Sequence, residues 1–460
     1  MMKTLKFTII ILLLPALLCA SNFYGRVMTF HGDPDTCTTI TGIWNEAADS
    51  MVIEYSTARD LSGSTIRDSA LTAARCHMEL DGLTPNTWYY YTISDGFTYT
   101  YISDTDSFKT ANVKGTSADL TFWIFGDTQI DSSNGASLDS SIAYVARIRA
   151  RLDAGTMARP DLILHCGDHV EGGLDDWRAY FAVYDTLFEL TQFLSISGSH
   201  DGYAGLKVNP GNWMFYFNIM GNGLSAGWNG DQGWVLYYEN IAFIATDMIN
   251  KSRNYPGDSV TVGSSQYNWL EALCEAIKVD SDIDYVFELH GSDVTPMPWK
   301  VRDGAIDNRT TTVVLPGGKR TYWDGNPELY WSTEDTIKYE YVQAIRPLLV
   351  QDSINAISFE SGGWYCTGQP LEVIHNYWDD CPIFECSGTP KDDRAGVGIA
   401  TINSDWFTMR VEKLQTFPMA ELYDDGYPFT LGATFDNYPI FSCPNWNKIN
   451  GVKLSVTWGR

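Results

Sequence analysis

The chain is short of positive charge. Its 460 residues carry 31 Lys and Arg against 57 Asp and Glu, a formal balance of −26. A surface this acidic repels nucleic acid and anionic membranes, so no nucleic-acid partner is expected. It repels phosphate esters too, and any phosphate chemistry here needs a local cation. None of the nine cysteines forms a CxxC pair, which excludes a zinc ribbon. Internal repeats and low-complexity tracts are absent. Long apolar runs are also lacking beyond the first twenty residues. There, Lys3 and Lys6 precede "FTIIILLLPALL", and "LCA" closes the run before Ser21. That is a charged start, an apolar stretch too short to span a bilayer comfortably, and a small residue at the cut, so residues 1–20 read as a secretory signal peptide. The expectation is a secreted protein, extracellular or periplasmic, with no stable membrane insertion after cleavage. The sequence does not specify its oligomeric state.

What is present supports a sizeable core: 44% of residues are hydrophobic and 14% aromatic. Export permits disulfides, and Cys37 with Cys76, and pairs among Cys366, Cys381, Cys386 and Cys443, are candidates. Cys166, inside the apolar run "LILHC", is expected to be a buried thiol.

Residues 21–112 read as all-β. "TTITGIW" and "SMVIEYST" alternate, and "CHMELDGLTPNTWYYYTISDG" gives strand, turn and strand. Short strands with frequent turns predict a β-sandwich. From residue 120 apolar runs alternate with helical patterns. Leu138, Ile142, Val145, Ile148 and Leu152 share one helical face, and a later helix turns Trp269, Leu270, Leu273 and Ile277 inward. A further helix over 332–351 ends or breaks near Pro347. The alternation predicts an α/β domain with a largely parallel or mixed sheet over 113–418. Residues 292–332 are expected to be a long excursion, and 419–460 a β-rich C-terminal segment.

Five predicted strands end in polar groups. "WIFGD" ends at Asp127, followed by Gln129. "LILHCGDHVEGG" ends at Asp168, followed by His169 and Glu171. "FLSISGSHD" delivers Ser199, His200 and Asp201, "FELHGSD" delivers His290, and "ISFESGG" delivers Glu360. In open α/β sheets the carboxyl ends of strands line the ligand crevice. Carboxylates and imidazoles arriving there from separate strands suit a hard or borderline metal ion.

In order and spacing, "LTFWIFGDTQ", "PDLILHCGDHVEGG", "GSHD", "SQYNWLEAL…YVFELHG" and "AIRPLLVQDSINAISFE" resemble the calcineurin-like metallophosphoesterases. More narrowly they resemble purple acid phosphatase-like proteins with an N-terminal fibronectin type III-like domain, which "LDGLTPNTWYYY…SFKTA" matches. The resemblance implies an α/β (α+β) fold: an N-terminal β-sandwich, then a metallophosphoesterase-type two-sheet sandwich flanked by helices. It implies hydrolysis of a small phosphate ester by metal-activated water, with one or two Fe, Zn or Mn ions. Asp127 would hold one metal, Asp168 would bridge both, and His290 would bind the second. His200 would donate a proton or contact phosphate, with Asp201 beside it in the catalytic motif. The pattern also breaks. The family's asparagine ligand is Ser199, the tyrosinate position is Glu171, and the closing Gly-His-x-His is replaced by "FESGGW". Glu171, Glu360, His169 and Gln129 are candidate stand-ins, with His375 a more remote one. Two readings follow: a phosphoesterase with a remodelled metal site, or an inactive relative acting as an extracellular binding module. If residues 292–332 cover the crevice, Lys319, Arg320, Tyr322 and Trp323 could contact a phosphate or a ring; the alternative is an ordinary hairpin tip with exposed charges.

Overall fold

The computed structural model describes residues 23–44, 50–70, 75–94, 100–117, 119–198, 200–201, 217, 233–247, 262–291, 313–315, 319–321, 344–350, 354, 356–361, 371–375, 382–386, 396–403, 406–413 and 439–444. The expected signal peptide lies outside them.

Seven strands build the front of the chain: β1 (Phe23–Thr29), β2 (Thr38–Trp44), β3 (Ser50–Ser56), β4 (Thr65–Ala70), β5 (Arg75–Leu80), β6 (Trp88–Ser94) and β7 (Thr100–Lys109). They form two antiparallel sheets, ordered β1-β2-β5 and β4-β3-β6-β7. Period-two alternation sends Met28, Ile40, Met51, Ile53, Tyr91 and Phe108 into a core between the sheets. β2 is buried at every position. The reason is that β2 and most of β1 are covered on both faces: Met28 and Ile40 face the sandwich, while Val27, Phe30 and Ile43 join the core of the following domain; β5, at the sheet's edge, keeps Glu79 exposed. A strand buried on both sides has no solvent face to mark with polar residues.

The second domain begins at β8 (Leu120–Phe125) and continues with α1 (Gly135–Asp153), β9 (Leu162–His165), α2 (Leu174–Phe188), β10 (Phe193–Ser195), β11 (Trp234–Tyr238), β12 (Ile241–Thr246), α3 (Ser265–Val279) and β13 (Tyr285–His290). A small hairpin of β14 (Val313–Leu315) and β15 (Lys319–Thr321) follows, then α4 (Arg346–Leu349), β16 (Ile357–Ser361), β17 (Leu371–His375), β18 (Pro382–Cys386), β19 (Gly396–Asn403), β20 (Trp406–Lys413) and β21 (Pro439–Pro444). Two six-stranded sheets result, ordered β10-β9-β8-β19-β20-β21 and β11-β12-β13-β16-β18-β17. β8, β9 and β10 are parallel, as are β12, β13, β16 and β18. β11 and β17 close the second sheet's edges antiparallel. The sheets meet through aromatic rings: Phe122 of the first lies edge-on to Phe243 and Phe287 of the second at 5.9 and 5.4 Å.

Local chemistry sets the helices. Asn134 caps α1, its side chain accepting from the Ala136 and Ser137 N–H groups, and Ser264 caps α3 through Tyr267 N. Along α3, Trp269 is only partly buried, while Gln266 is fully buried and exchanges two hydrogen bonds with the Asp247 backbone. As expected, the helix is interrupted and ends near Pro347: π-helical residues 344–345 give way to α4 with Pro347 in its first turn, and α4 ends at Leu349. The earlier part of the helix expected over 332–351 falls outside the described residues. The first sheet does not finish with the parallel strands. β19 returns antiparallel beside β8, and β21, within the expected C-terminal segment, is that sheet's edge strand.

The sandwich is tied to α2. Arg26 of β1 is almost fully buried, and its guanidinium bonds Asp185 at 2.7 Å, Asp106, and Glu189 at 3.3 Å. Its backbone N–H donates to Asp185 Oδ1 at 2.9 Å. Asp185 belongs to α2 and Glu189 caps its end. Cys37 and Cys76 are both free thiols, so the disulfide considered between them is not formed. Cys76 lies on β5 opposite Gly42, inside the strand ladder, whereas Cys37 precedes β2 at the opposite end of it. Cys166 is a fully buried thiol. The other four candidate cysteines either lie outside the described residues or are described in backbone only.

Candidate metal centre at the strand ends

The carboxyl ends of β8, β9, β10 and β13 converge, and three glycines show how closely. A Cβ on Gly167, after β9, would lie 2.8 Å from Gly198 Cα and 3.0 Å from Gly291 Cα. A Cβ on Gly198, after β10, would lie 1.9 Å from Asp168 N, and one on Gly291, after β13, 1.9 Å from Ser197 O. Only hydrogen fits at these positions, so bare backbones from both sheets touch. Asp127 joins the cluster through its N–H, which donates to Gly167 O at 3.0 Å, and Gln129 N–H donates to Asp168 O at 2.9 Å.

Asp127 and Asp168 both adopt left-handed backbone, with φ of 52° and 55°. Aspartate tolerates that region better than most residues, yet each instance costs about 1–3 kcal/mol and persists only where surroundings enforce it. Both side chains are nearly fully buried, as is His290. Asp168 Oδ1 accepts the His200 N–H at 2.7 Å.

Asp201 corrects an expectation. The sequence pairs it with His200 as a catalytic group; its carboxylate is buried and committed to the loop. It accepts N–H groups from Asp168, His169, Val170 and Gly198 at 3.1, 2.6, 3.3 and 2.6 Å. It also accepts His169 Nδ1–H at 2.7 Å. Burial pushes its pKa up to about 7, against the pull of those amides and of His200. Asp201 is a positioning residue that sets the backbone of the Asp168 loop.

His169 is likewise withdrawn from the candidate ligands. Its Nδ1–H goes to Asp201, and its Nε2 accepts the Ser195 hydroxyl at 2.6 Å. It stacks on His165 with centroids 3.8 Å apart. Burial holds both imidazoles well below the ordinary histidine pKa, so both are neutral. His165 Nδ1 accepts the Gly167 N–H at 3.1 Å and its Nε2–H donates to Thr128 Oγ1 at 3.1 Å, so His165 shapes the glycine turn from below.

On the second sheet, His290 has a partner that sequence reasoning missed. Its Nδ1–H donates to Glu288, with both carboxylate oxygens at 3.0 Å, and Thr246 Oγ1 donates to the same carboxylate at 2.5 Å. Glu288 is fully buried, and His290 holds its pKa below the usual range despite desolvation. A carboxylate on one imidazole nitrogen fixes the tautomer and leaves the lone pair on Nε2, the arrangement of metal-binding histidines. The signal was a lone charge inside "YVFELH", two residues before His290 and therefore on the same strand face.

The remaining candidates sort by register. Glu360 pairs with His290 across β13 and β16, in the row at the site. Ser199, Tyr322 and Trp323 fall outside the described residues, while Lys319 and Arg320 lie on β15 of the hairpin. Glu171 lies with its Oε1 3.6 Å from His200 Nδ1, both partly exposed. Gln129 is buried, with φ of 37°. His375 pairs with Pro382 at the amino end of β18, whereas Ser361, at the site end of β16, pairs with Cys386. His375 is therefore at the wrong end of the sheet to replace a lost ligand.

Two carboxylates and an imidazole of fixed tautomer arrive at touching strand ends and are donor types that a divalent cation takes, but among the described residues their donor atoms are not a set lying within 4.8 Å of one another, so the three do not by themselves close on one ion. Residues 120–335 match the calcineurin-like phosphoesterase family. The chain thus carries a domain of that family, whose hydrolases work with bound divalent metal ions. In fold it is similar to the purple acid phosphatase PPD1 from yellow lupin (Lupinus luteus) seeds, with 13% identity and a TM-score of 0.57 over 86% of this chain and 73% of that one. It is also similar to PhoD, with 12% identity and a TM-score of 0.54 over 85% of this chain and 86% of that one. No curated protein matches the sequence.

Proposed function

We propose that the protein is an exported metal-dependent phosphoesterase with a remodelled metal site. The observation that carries this reading is the buried Glu288–His290 pair facing the Asp127 and Asp168 loops across the Gly167–Gly198–Gly291 contact. A buried carboxylate bonded to Nδ1 leaves the Nε2 lone pair as the histidine's available donor. Asp127, Asp168 and His290 would hold the ion, with Glu360 beside His290 in register and Glu171 at the crevice edge. The bound metal supplies local positive charge and lowers the pKa of water toward neutrality. His200 is partly exposed and anchored through its own N–H on Asp168, which suits it to give a proton to the departing alkoxide. Glu171 Oε1 lies 3.6 Å from His200 Nδ1, at the same edge of the crevice.

A second reading, a non-catalytic binding module, is favoured by one observation. β16 runs into Ser361-Gly362-Gly363-Trp364, with no histidine where the family closes its second metal position. The test is metal content of the purified protein together with hydrolysis of a chromogenic phosphate ester over pH 4–9 with added Mn, Zn or Fe. We expect metal-dependent turnover that Asp168→Asn reduces by roughly a thousandfold or more. Metal-free protein without turnover decides for the binding module. Activity that survives Asp168→Asn does not come from this site.

A further inference from the structure

A second set of metal-competent side chains sits in the front sandwich, away from the phosphoesterase site. His31, Cys37 and Asp81 each present one donor atom, all within 4.8 Å of one another. Strand register places them. β1 pairs with β2 through Thr29 and Thr39, and β2 with β5 through Thr38 and Leu80. Carried past the strand ends, two residues beyond β1 and one beyond β2 and β5, these registers put His31 and Asp81 on either side of Cys37, in one row across three strands. His31 Nε2 is 2.9 Å from Asp81 Oδ1, and Cys37 Sγ is 3.5 Å from the same oxygen. The other imidazole nitrogen, Nδ1, lies 2.9 Å from Oγ1 of the fully buried Thr39. That partner fixes the ring plane and aims Nε2 at the cluster, as outer partners of metal-bound histidines do.

We propose that His31, Cys37 and Asp81 bind one zinc ion per chain, with water completing a tetrahedral set. One imidazole nitrogen, one thiolate and one carboxylate are borderline donors that suit zinc better than magnesium or calcium. The Asp81 side chain is 63% exposed, which leaves solvent access for the fourth position. Burial raises the Cys37 pKa, so zinc binding displaces the thiol proton and tightens as pH rises. The site would also have a structural consequence. The turn before Cys37 accepts Ala111 N–H at Pro34 O and Leu83 N–H at Thr36 O, so it touches the segment leading into the second domain. A cation here would clamp the end of the three-stranded sheet at that junction.

Cobalt separates this site from the phosphoesterase site, because only a cysteine ligand gives a thiolate-to-cobalt charge-transfer band in the near ultraviolet. The full chain, reduced with a non-thiol phosphine, is titrated with Co(II) and back-titrated with Zn(II). We expect the band to saturate at one equivalent, to be bleached by zinc, and to vanish in Cys37→Ser with circular dichroism unchanged. Asp81→Asn, an exposed substitution, should weaken apparent affinity about tenfold or more. Zinc should also protect Cys37 from alkylation, read by mass spectrometry, and raise the thermal midpoint of wild type but not of Cys37→Ser. No charge-transfer band from protein whose Cys37 alkylates freely overturns the proposal. So does a band that persists in Cys37→Ser, which would assign it to another thiol. The Asp168→Asn protein should keep the band, so failure here and failure of the phosphoesterase reading are distinct results.

Discussion

The two sheets of the phosphoesterase domain contribute to one crevice by different means. The first-sheet side is built from backbone: Asp127 and Asp168 in left-handed conformation, Asp201 gathering the amides of the Asp168 loop, and His165 beneath the glycine turn. The second-sheet side is built from a side-chain pair, Glu288 on His290, on a regular strand. The first side is part of how the chain folds. The second rests on side chains, and the family pattern is lost on both sides: at Glu171 and Ser199 after β9 and β10, and at the closing histidines after β16.

That contrast can be broken by substitution. Asp201→Ala should have the largest effect. It leaves buried amides of Asp168, His169, Val170 and Gly198 without their acceptor, a loss of about 3–5 kcal/mol visible as a shift in the denaturant midpoint. A midpoint near wild type would show that the loop does not depend on this carboxylate. Glu288→Gln should leave the midpoint nearly unchanged and weaken metal affinity and turnover about 10–100-fold, measured by metal titration and kcat/KM. Equal stability losses in the two variants would erase the distinction between the sides. Ser199→Asn restores the amide oxygen that the family uses, and should raise metal affinity by less than about tenfold.

The smallest effect concerns the junction between domains. Burial raises Asp106 and Glu189 above the ordinary carboxylate pKa, against the pull of Arg26. The folded protein therefore holds those protons more tightly than the unfolded chain. The stability they contribute is full at pH below the ordinary carboxylate value and is lost as pH rises through the raised values. Asp106→Asn should flatten the acid-range dependence of the thermal midpoint relative to wild type. An unchanged slope would remove Asp106 from that role.

The positions of Asp127, Asp168, His200 and His290 at the strand ends were legible because each breaks an apolar run there; that polar residues at such ends also serve the loop, as His169 and Asp201 do, was not. Glu288 was not, because a glutamate inside a strand reads as a solvent-facing residue until β12 and β16 are known to flank it. The role of Asp201 depends on amides some thirty residues earlier in the chain, which no local pattern announces. The return of β19 and β21 into the first sheet was hidden for the same reason: antiparallel pairing with β8 joins segments nearly 280 residues apart. His31, Cys37 and Asp81 likewise become a row only once three strands are in register.

The contact among Gly167, Gly198 and Gly291 has a consequence for how such a pocket can diversify. At the strand ends main chain packs against main chain, so at these three positions there is no side chain to trim or enlarge. New substrate preferences must come from the rim, while the base keeps one fixed depth across whatever variants the rim acquires.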